Sequence, residues 1–75
     1  MNEKRRARIR AVKERLEDCA NEIDDIRSDE EEYRDNIPEN LQNGDRYQDT
    51  EENCDKLDTA ASTVRDAISE LDEIK

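Results

Sequence analysis

Asn36-Ile37-Pro38-Glu39-Asn40-Leu41-Gln42-Asn43-Gly44-Asp45 holds the only proline and the only glycine of a 75-residue chain. Proline cannot continue a helix and biases the residue before it away from helical angles, while Asn-Gly readily takes left-handed backbone angles. Together the two residues bracket a bend. Pro38-Glu39-Asn40-Leu41 suits a short helical turn with proline at its first position, and Leu41 is placed to plug the open end of a hairpin. The spacing on either side predicts a helix over about 3–36, a turn over 37–44 and a helix over about 45–74.

The first arm carries its apolar residues three and four apart. Ile9, Leu16, Ile23, Glu30 and Ile37 take heptad position a, and Val12, Cys19, Ile26 and Tyr33 take position d. The second arm repeats the period, with Tyr47, Cys54, Ala61 and Ile68 at a and Thr50, Leu57, Val64 and Leu71 at d. Asp45 is a plausible N-cap, with Asp49, Glu51 and Glu52 near the positive end of the helix dipole. A connection this short folds the arms back antiparallel. The expected fold is therefore all-α, two long antiparallel helices in a coiled-coil hairpin.

Charge sets the register. If facing core positions total 80, Ile9 meets Leu71, Cys19 meets Ala61, Glu30 meets Thr50 and Tyr33 meets Tyr47. The same register brings the flanking e positions together as Lys13 with Asp72, Arg27 with Asp58 and Arg34 with Glu51, each pair of opposite sign. Glu30 and Arg34 add a favourable i,i+4 pair. Cys19 and Cys54 then lie about 10 Å apart along the axis, too far for an internal disulfide.

Composition narrows the possible functions. Charged residues make up 48% of the chain, hydrophobic ones 31%, and Tyr33 and Tyr47 are the only aromatics. A single seam containing Ala, Cys, Thr and Glu supplies little apolar burial against the entropy of ordering the chain. Helix two offers a second edge in Ala60, Ala67 and Ile74, and helix one offers Ala7, Ala11 and Ala20. Self-association is expected, most simply two hairpins forming a four-helix bundle or a higher oligomer.

The formal net charge of −10 is unevenly spread. Residues 1–15 carry Lys4, Arg5, Arg6, Arg8, Arg10, Lys13 and Arg15 against Glu3 and Glu14, a balance of +5, so the rest sums to −15. An acidic surface of this kind favours an electropositive protein partner and disfavours duplex DNA and anionic membrane. No apolar run is long enough for a signal peptide or a membrane span, and both cysteines are expected to be reduced. The expected setting is the cytoplasm.

The basic cluster has two readings. Either it pairs within the hairpin with Glu70, Asp72 and Glu73, or Lys4, Arg5, Arg6, Arg8 and Arg10 from two protomers form a site for an anionic, cyclic nucleotide. The acidic run from Asp24 to Asp35 lacks the glycine and ligand spacing of a calcium hand loop, so it reads as a solvated face or as mimicry of a phosphate backbone. The chain has no histidine. That removes the commonest general base and metal ligand, and the heptad cysteines sit among acids that disfavour a thiolate. No catalytic residue, metal site or cofactor is expected. Tyr33, Asn40, Leu41, Arg46 and Tyr47, flanked by Glu31 and Glu32, are the candidates for a partner-binding patch around the turn.

The turn and its flanks, Tyr33 followed by Ile37-Pro38-Glu39-Asn40-Leu41-Gln42 and then Asp45-Arg46-Tyr47, resemble small acidic helical-hairpin proteins encoded by phages and mobile elements of Gram-positive bacteria. The resemblance implies a phage or mobile-element origin and a non-enzymatic role in binding and blocking a protein of the bacterial host. It carries over no catalytic residue, and a purely structural bundle within a larger assembly stands as a further alternative.

Overall fold

The computed structural model describes residues 1–75. It consists of α1 (Glu3–Asp35), a single 3-10 turn (Glu39–Leu41) and α2 (Asp45–Asp72), packed as an antiparallel hairpin with Cα extents of 60 × 15 × 11 Å. Asn2 starts α1, its side-chain oxygen accepting from the Arg5 amide at 2.9 Å. That supplies one of the orphan amides at a helix N-terminus.

The reversal uses hydrogen bonds and no left-handed residue. Pro38 ends the helical path, and its carbonyl accepts from the Leu41 amide at 2.8 Å. The Leu41 carbonyl in turn accepts from Gly44 at 3.1 Å. Gly44 sits at φ −84°, so the Asn43-Gly44 pair does not need the positive angles expected of it. Gly44, and not Asp45, is the N-cap of α2, and it offers no side-chain acceptor. A Cβ at Gly44 would lie 3.3 Å from the Leu41 carbonyl, so glycine here serves close approach. Leu41 does not plug the hairpin: it is 56% exposed, and Ile37 is the buried residue at that end.

In α2 the observed seam is the expected heptad, with Thr50, Cys54 and Ala61 buried and Tyr47, Leu57, Val64, Ile68 and Leu71 half-buried. In α1 it is not. Ile9, Leu16, Ile23 and Glu30 keep the a line, but the second line passes through Lys13, Ala20, Arg27 and Arg34, which are e positions. Cys19 and Tyr33 are exposed, and Ile26 is 49% exposed.

The e residues gain by turning inward. Lys13, Arg27 and Arg34 lay aliphatic stems over the seam while their charged heads reach out, leaving their side chains 27%, 30% and 27% exposed.

The e-position pairing confirms the register at two levels, Lys13 with Asp72 and Arg27 with Asp58. At the third level Arg34 turns to Asp35 at 3.3 Å, so the expected Arg34–Glu51 pair does not form. Glu30 does not pair with Arg34 either; it accepts from the Asn53 amide at 2.7 Å across the hairpin. Thr50, buried opposite it, donates its hydroxyl to the Tyr47 carbonyl at 2.7 Å. Each polar core residue is thus satisfied separately. Ala20 and Ala61 are the least exposed residues of the chain, at 0% and 1%, and the register sets them at one level, where small side chains let the helices approach most closely.

Candidate functional site

The rotation of α1 gives the hairpin two unlike long faces. On the e side the charges are knitted together. Lys13 pairs with Asp72, and Arg27 donates to Glu31 at 2.7 Å. The e position facing Arg65 is Ala20, which cannot pair, so the guanidinium reaches past it to Asp24 and Asn21. The Arg65 hydrogen bond holds the Asp24 carboxyl below the usual carboxylate range, and Asp24 raises Arg65 in return.

The opposite face is apolar. Val12, Cys19, Ile26 and Tyr33 run along α1, beside Leu57, Ala60, Val64 and Ala67 of α2, which share that side by heptad position. Toward the turn, Ile26, Tyr33 and Leu57 line an open groove of about 520 Å³ rimmed by Asp29, Lys56 and Asn53. Toward the N-terminus, Met1, Ile9, Val12 and Leu71 floor a second depression of about 330 Å³, with Arg5 and Arg8 at its edge. A hairpin sealed on one side by long basic side chains is open along the other.

The basic end is only partly neutralised from within. Arg10 pairs with Glu3 at 2.8 Å and keeps that carboxyl below its ordinary range, and the Arg6 Nε donates to the Met1 carbonyl at 3.2 Å. Of Glu70, Asp72 and Glu73, only Asp72 takes a basic partner. Lys4, Arg5, Arg6, Arg8 and Arg15 make no ion pair. Internal pairing therefore does not account for the cluster.

The turn half has the reverse imbalance. Residues 17–60 contain seventeen acids and four bases, Arg27, Arg34, Arg46 and Lys56. Asp24, Glu31, Asp35 and Asp58 are the acids held in ion pairs, which leaves thirteen free.

The residues proposed for a patch around the turn do not form one. Tyr33, 47% exposed, belongs to the apolar face; Tyr47 is half-buried in the seam and does not face it. Glu31 is engaged by Arg27. Asn40, Leu41, Arg46 and Glu32 are exposed, at the tip or on the outer flanks. Of the residues expected to self-associate, Ala60 and Ala67 lie on the apolar face, while Ile74 follows the end of α2 and is 40% exposed. Ala11 is exposed but stands one residue step, about 100°, away from Val12 and off that face.

An unbroken heptad places Cys19, Ile26 and Tyr33 inside the hairpin, and the structure turns them out. The basic e column, Lys13, Arg27 and Arg34, gives no signal against it, because these residues pair with the acids of α2 from the flank of an a/d seam as well as from an inward-turned e line.

Both thiols are free. Burial pushes the Cys54 thiol above its ordinary range, and Cys19 is exposed. No three acidic or cysteine side chains converge into a group that could hold a metal ion, and no helix is long and apolar enough to cross a membrane. Compared with protein-family models, curated proteins and solved structures, the chain matches none of them.

Proposed function

We propose that this chain is a non-catalytic interaction protein, a self-associating helical hairpin whose acidic turn half binds an electropositive protein. The observation that carries this reading is the set of thirteen unpaired acids between residues 17 and 60. In the hairpin alone, Asp29 and Glu32 of α1 share the turn half with Asp49, Glu52 and Asp55 of α2, and the concentration of like charge there opposes the compact state. External positive charge relieves that repulsion. On the resemblance of the turn to small phage proteins, the partner is a protein of the bacterial host, and occupation of its basic cleft blocks it.

Affinity capture from a bacterial lysate tests this directly. The expected result is a discrete protein that is released by salt and no longer retained by Asp49→Lys with Glu52→Lys. A retained protein indifferent to both salt and the charge reversals, or no retained protein, overturns the reading.

A second reading rests on the five cations of the N-terminal end that make no ion pair: an anionic nucleotide held there, sequestered from a signalling pathway. It predicts a thermal shift with cyclic nucleotides that Arg5→Ala with Arg8→Ala abolishes; absence of any shift removes it.

A further inference from the structure

We infer that the apolar face is covered by a second copy of the chain in one particular arrangement, α1 lying antiparallel on the partner's α1 about a two-fold axis close to Cys19. The inference deepens the self-association in the reading above and is independent of the host protein.

Three observations carry it. The first is area. A folded monomer of 8.8 kDa is expected to expose about 4,800 Å², whereas this hairpin exposes 5928 Å² and buries five of its 75 residues. The excess of about 1,100 Å² per chain exceeds the roughly 800 Å² per partner of a standard interface. Of its large apolar side chains, Met1, Ile26 and Tyr33, each about half exposed, line this face, while Leu41 lies at the tip and Ile74 beyond the end of α2.

The second is direction. In a four-helix bundle each helix meets two neighbours roughly at right angles around its axis. The turn of α1 toward its a/e edge leaves the a/d and d/g edges facing away from α2, which is where the bundle centre and a second neighbour belong. A lone hairpin gains nothing by leaving Ile26 out.

The third is charge. The g positions that flank the d line of α1 are Arg8, Arg15, Glu22 and Asp29, basic then acidic. Antiparallel packing that sets Cys19 against the partner's Cys19 also sets Val12 against the partner's Ile26 and Arg5 against the partner's Tyr33. At the flank it joins Arg15 to the partner's Glu22 and Arg8 to the partner's Asp29. Each pair occurs twice by symmetry. The partner's Tyr33 ring then enters the depression floored by Met1, Ile9 and Val12, with the Arg5 guanidinium over it.

On α2 the same axis brings Ala60 to the partner's Ala60 and Leu57 to the partner's Val64, small and aliphatic side chains that allow close packing. Asp18 meets its own copy and Asp49 meets the partner's Glu70, both at the solvent edge, where screening is strongest. With the axis laid along the bundle instead, α1 would pack on the partner's α2. Arg15 and Arg8 would then face Ala60 and Ala67 and remain unpaired.

The test is a charge swap read by sedimentation equilibrium. Arg15→Glu alone and Glu22→Arg alone are each expected to weaken the dimer by roughly tenfold. An equimolar mixture of the two variants is expected to restore it, because each 15–22 contact between unlike chains is again of opposite sign. Oxidation of the wild type with diamide is expected to give a covalent dimer joined Cys19 to Cys19, lost in Cys19→Ser. A monomer at all concentrations overturns both this arrangement and the self-association. A dimer that forms no Cys19 bridge and gains nothing on mixing overturns this arrangement alone and favours the axis along the bundle. Either result leaves the capture experiment unaffected.

Discussion

Arg27→Leu should stabilise the hairpin although it removes two ion pairs. Arg27 lies on the inner e line of α1 with its side chain 30% exposed. Its Nε is buried without a hydrogen-bond partner, 3.9 Å from the Asp58 carboxylate. The pair with Glu31 is a half-buried i,i+4 contact worth about 0.5 kcal/mol, and the long contact to the well-exposed Asp58 adds a few tenths at most. Against these, removing an unsatisfied buried donor recovers about 1 kcal/mol or more. Leucine restores most of the apolar contact made by the arginine stem, and its helix propensity is about the same. The balance is about 1 kcal/mol in favour of leucine, a rise of about 4–8 °C in Tm for a domain of this size. Arg27→Ala removes the stem as well and should fall below Leu by about 1 kcal/mol or more. Thermal unfolding followed by circular dichroism checks the order, at one fixed chain concentration because association raises apparent stability. Moderate salt limits the effect of the added net negative charge. If leucine melts below the wild type, the ion pairs hold the e line in place and the account of why α1 turned inward is wrong.

Asp24→Asn should be less stable than the wild type at neutral pH and should lose that deficit in acid. The folded state lowers the Asp24 pKa, so the contribution is complete above the unfolded value of about 3.9 and disappears as pH falls through the lower folded value. Urea midpoints of both proteins across that range check the sign, and a gap that is unchanged at low pH counts against the Arg65 contact as its source. Ala61→Leu places a large side chain at the closest helix approach and should cost about 1–3 kcal/mol, read as a lower urea midpoint; a neutral result would show that the layer at Ala20 is loosely packed. At chain concentrations low enough to keep the hairpin monomeric, iodoacetamide should modify Cys19 first and Cys54 only on opening of the hairpin, as mass spectrometry will show, because Cys54 is both buried and held as the thiol. Equal rates at the two cysteines would contradict the burial of Cys54.

The sequence disclosed the two helices, the bend at Pro38, the whole seam of α2 and the a line of α1. These rest on short-range rules: a proline stop, an apolar period and opposite charges at facing e positions. What it concealed was the rotation of α1. Cys19, Ile26 and Tyr33 read as core because apolar residues every seven positions look the same whether a helix supercoils or runs straight, and only the packing of both helices chooses. Ala20 gave no periodic sign that it would be the most buried residue, since alanine suits an exposed helix face equally well. At the turn, Leu41 reads as a plug because it is the only apolar residue between Pro38 and Asp45, whereas Ile37, before the proline, is the one that is buried. The candidate patch around the turn dispersed for the same reason: Tyr33 and Tyr47 follow the rotations of different helices.

The sign change along α1 ties these observations together. Its first half is basic and its second half acidic, while the early part of α2, which runs beside that second half, is acidic as well. Within one hairpin this arrangement sets acids beside acids at the turn and leaves Arg8 and Arg15 idle at the other end. Reversal of sign about the midpoint of a helix is what an antiparallel copy of the same helix complements, because each basic segment then lies against the acidic segment of its partner. In the proposed dimer Glu22, Asp29 and Glu32 are taken up by the partner's Arg15, Arg8 and Lys4. Among the acids left facing solvent, Asp49, Glu51, Glu52 and Asp55 lie close together in the early part of α2, apart from Glu17, Asp18 and Asp25 of α1. Dimerisation and capture of a basic host protein therefore use different carboxylates. Asp49→Lys with Glu52→Lys should abolish capture while leaving the dimer at least as strong, since Asp49 meets the partner's Glu70. Glu22→Arg should weaken the dimer while leaving the capturing surface of each hairpin in place.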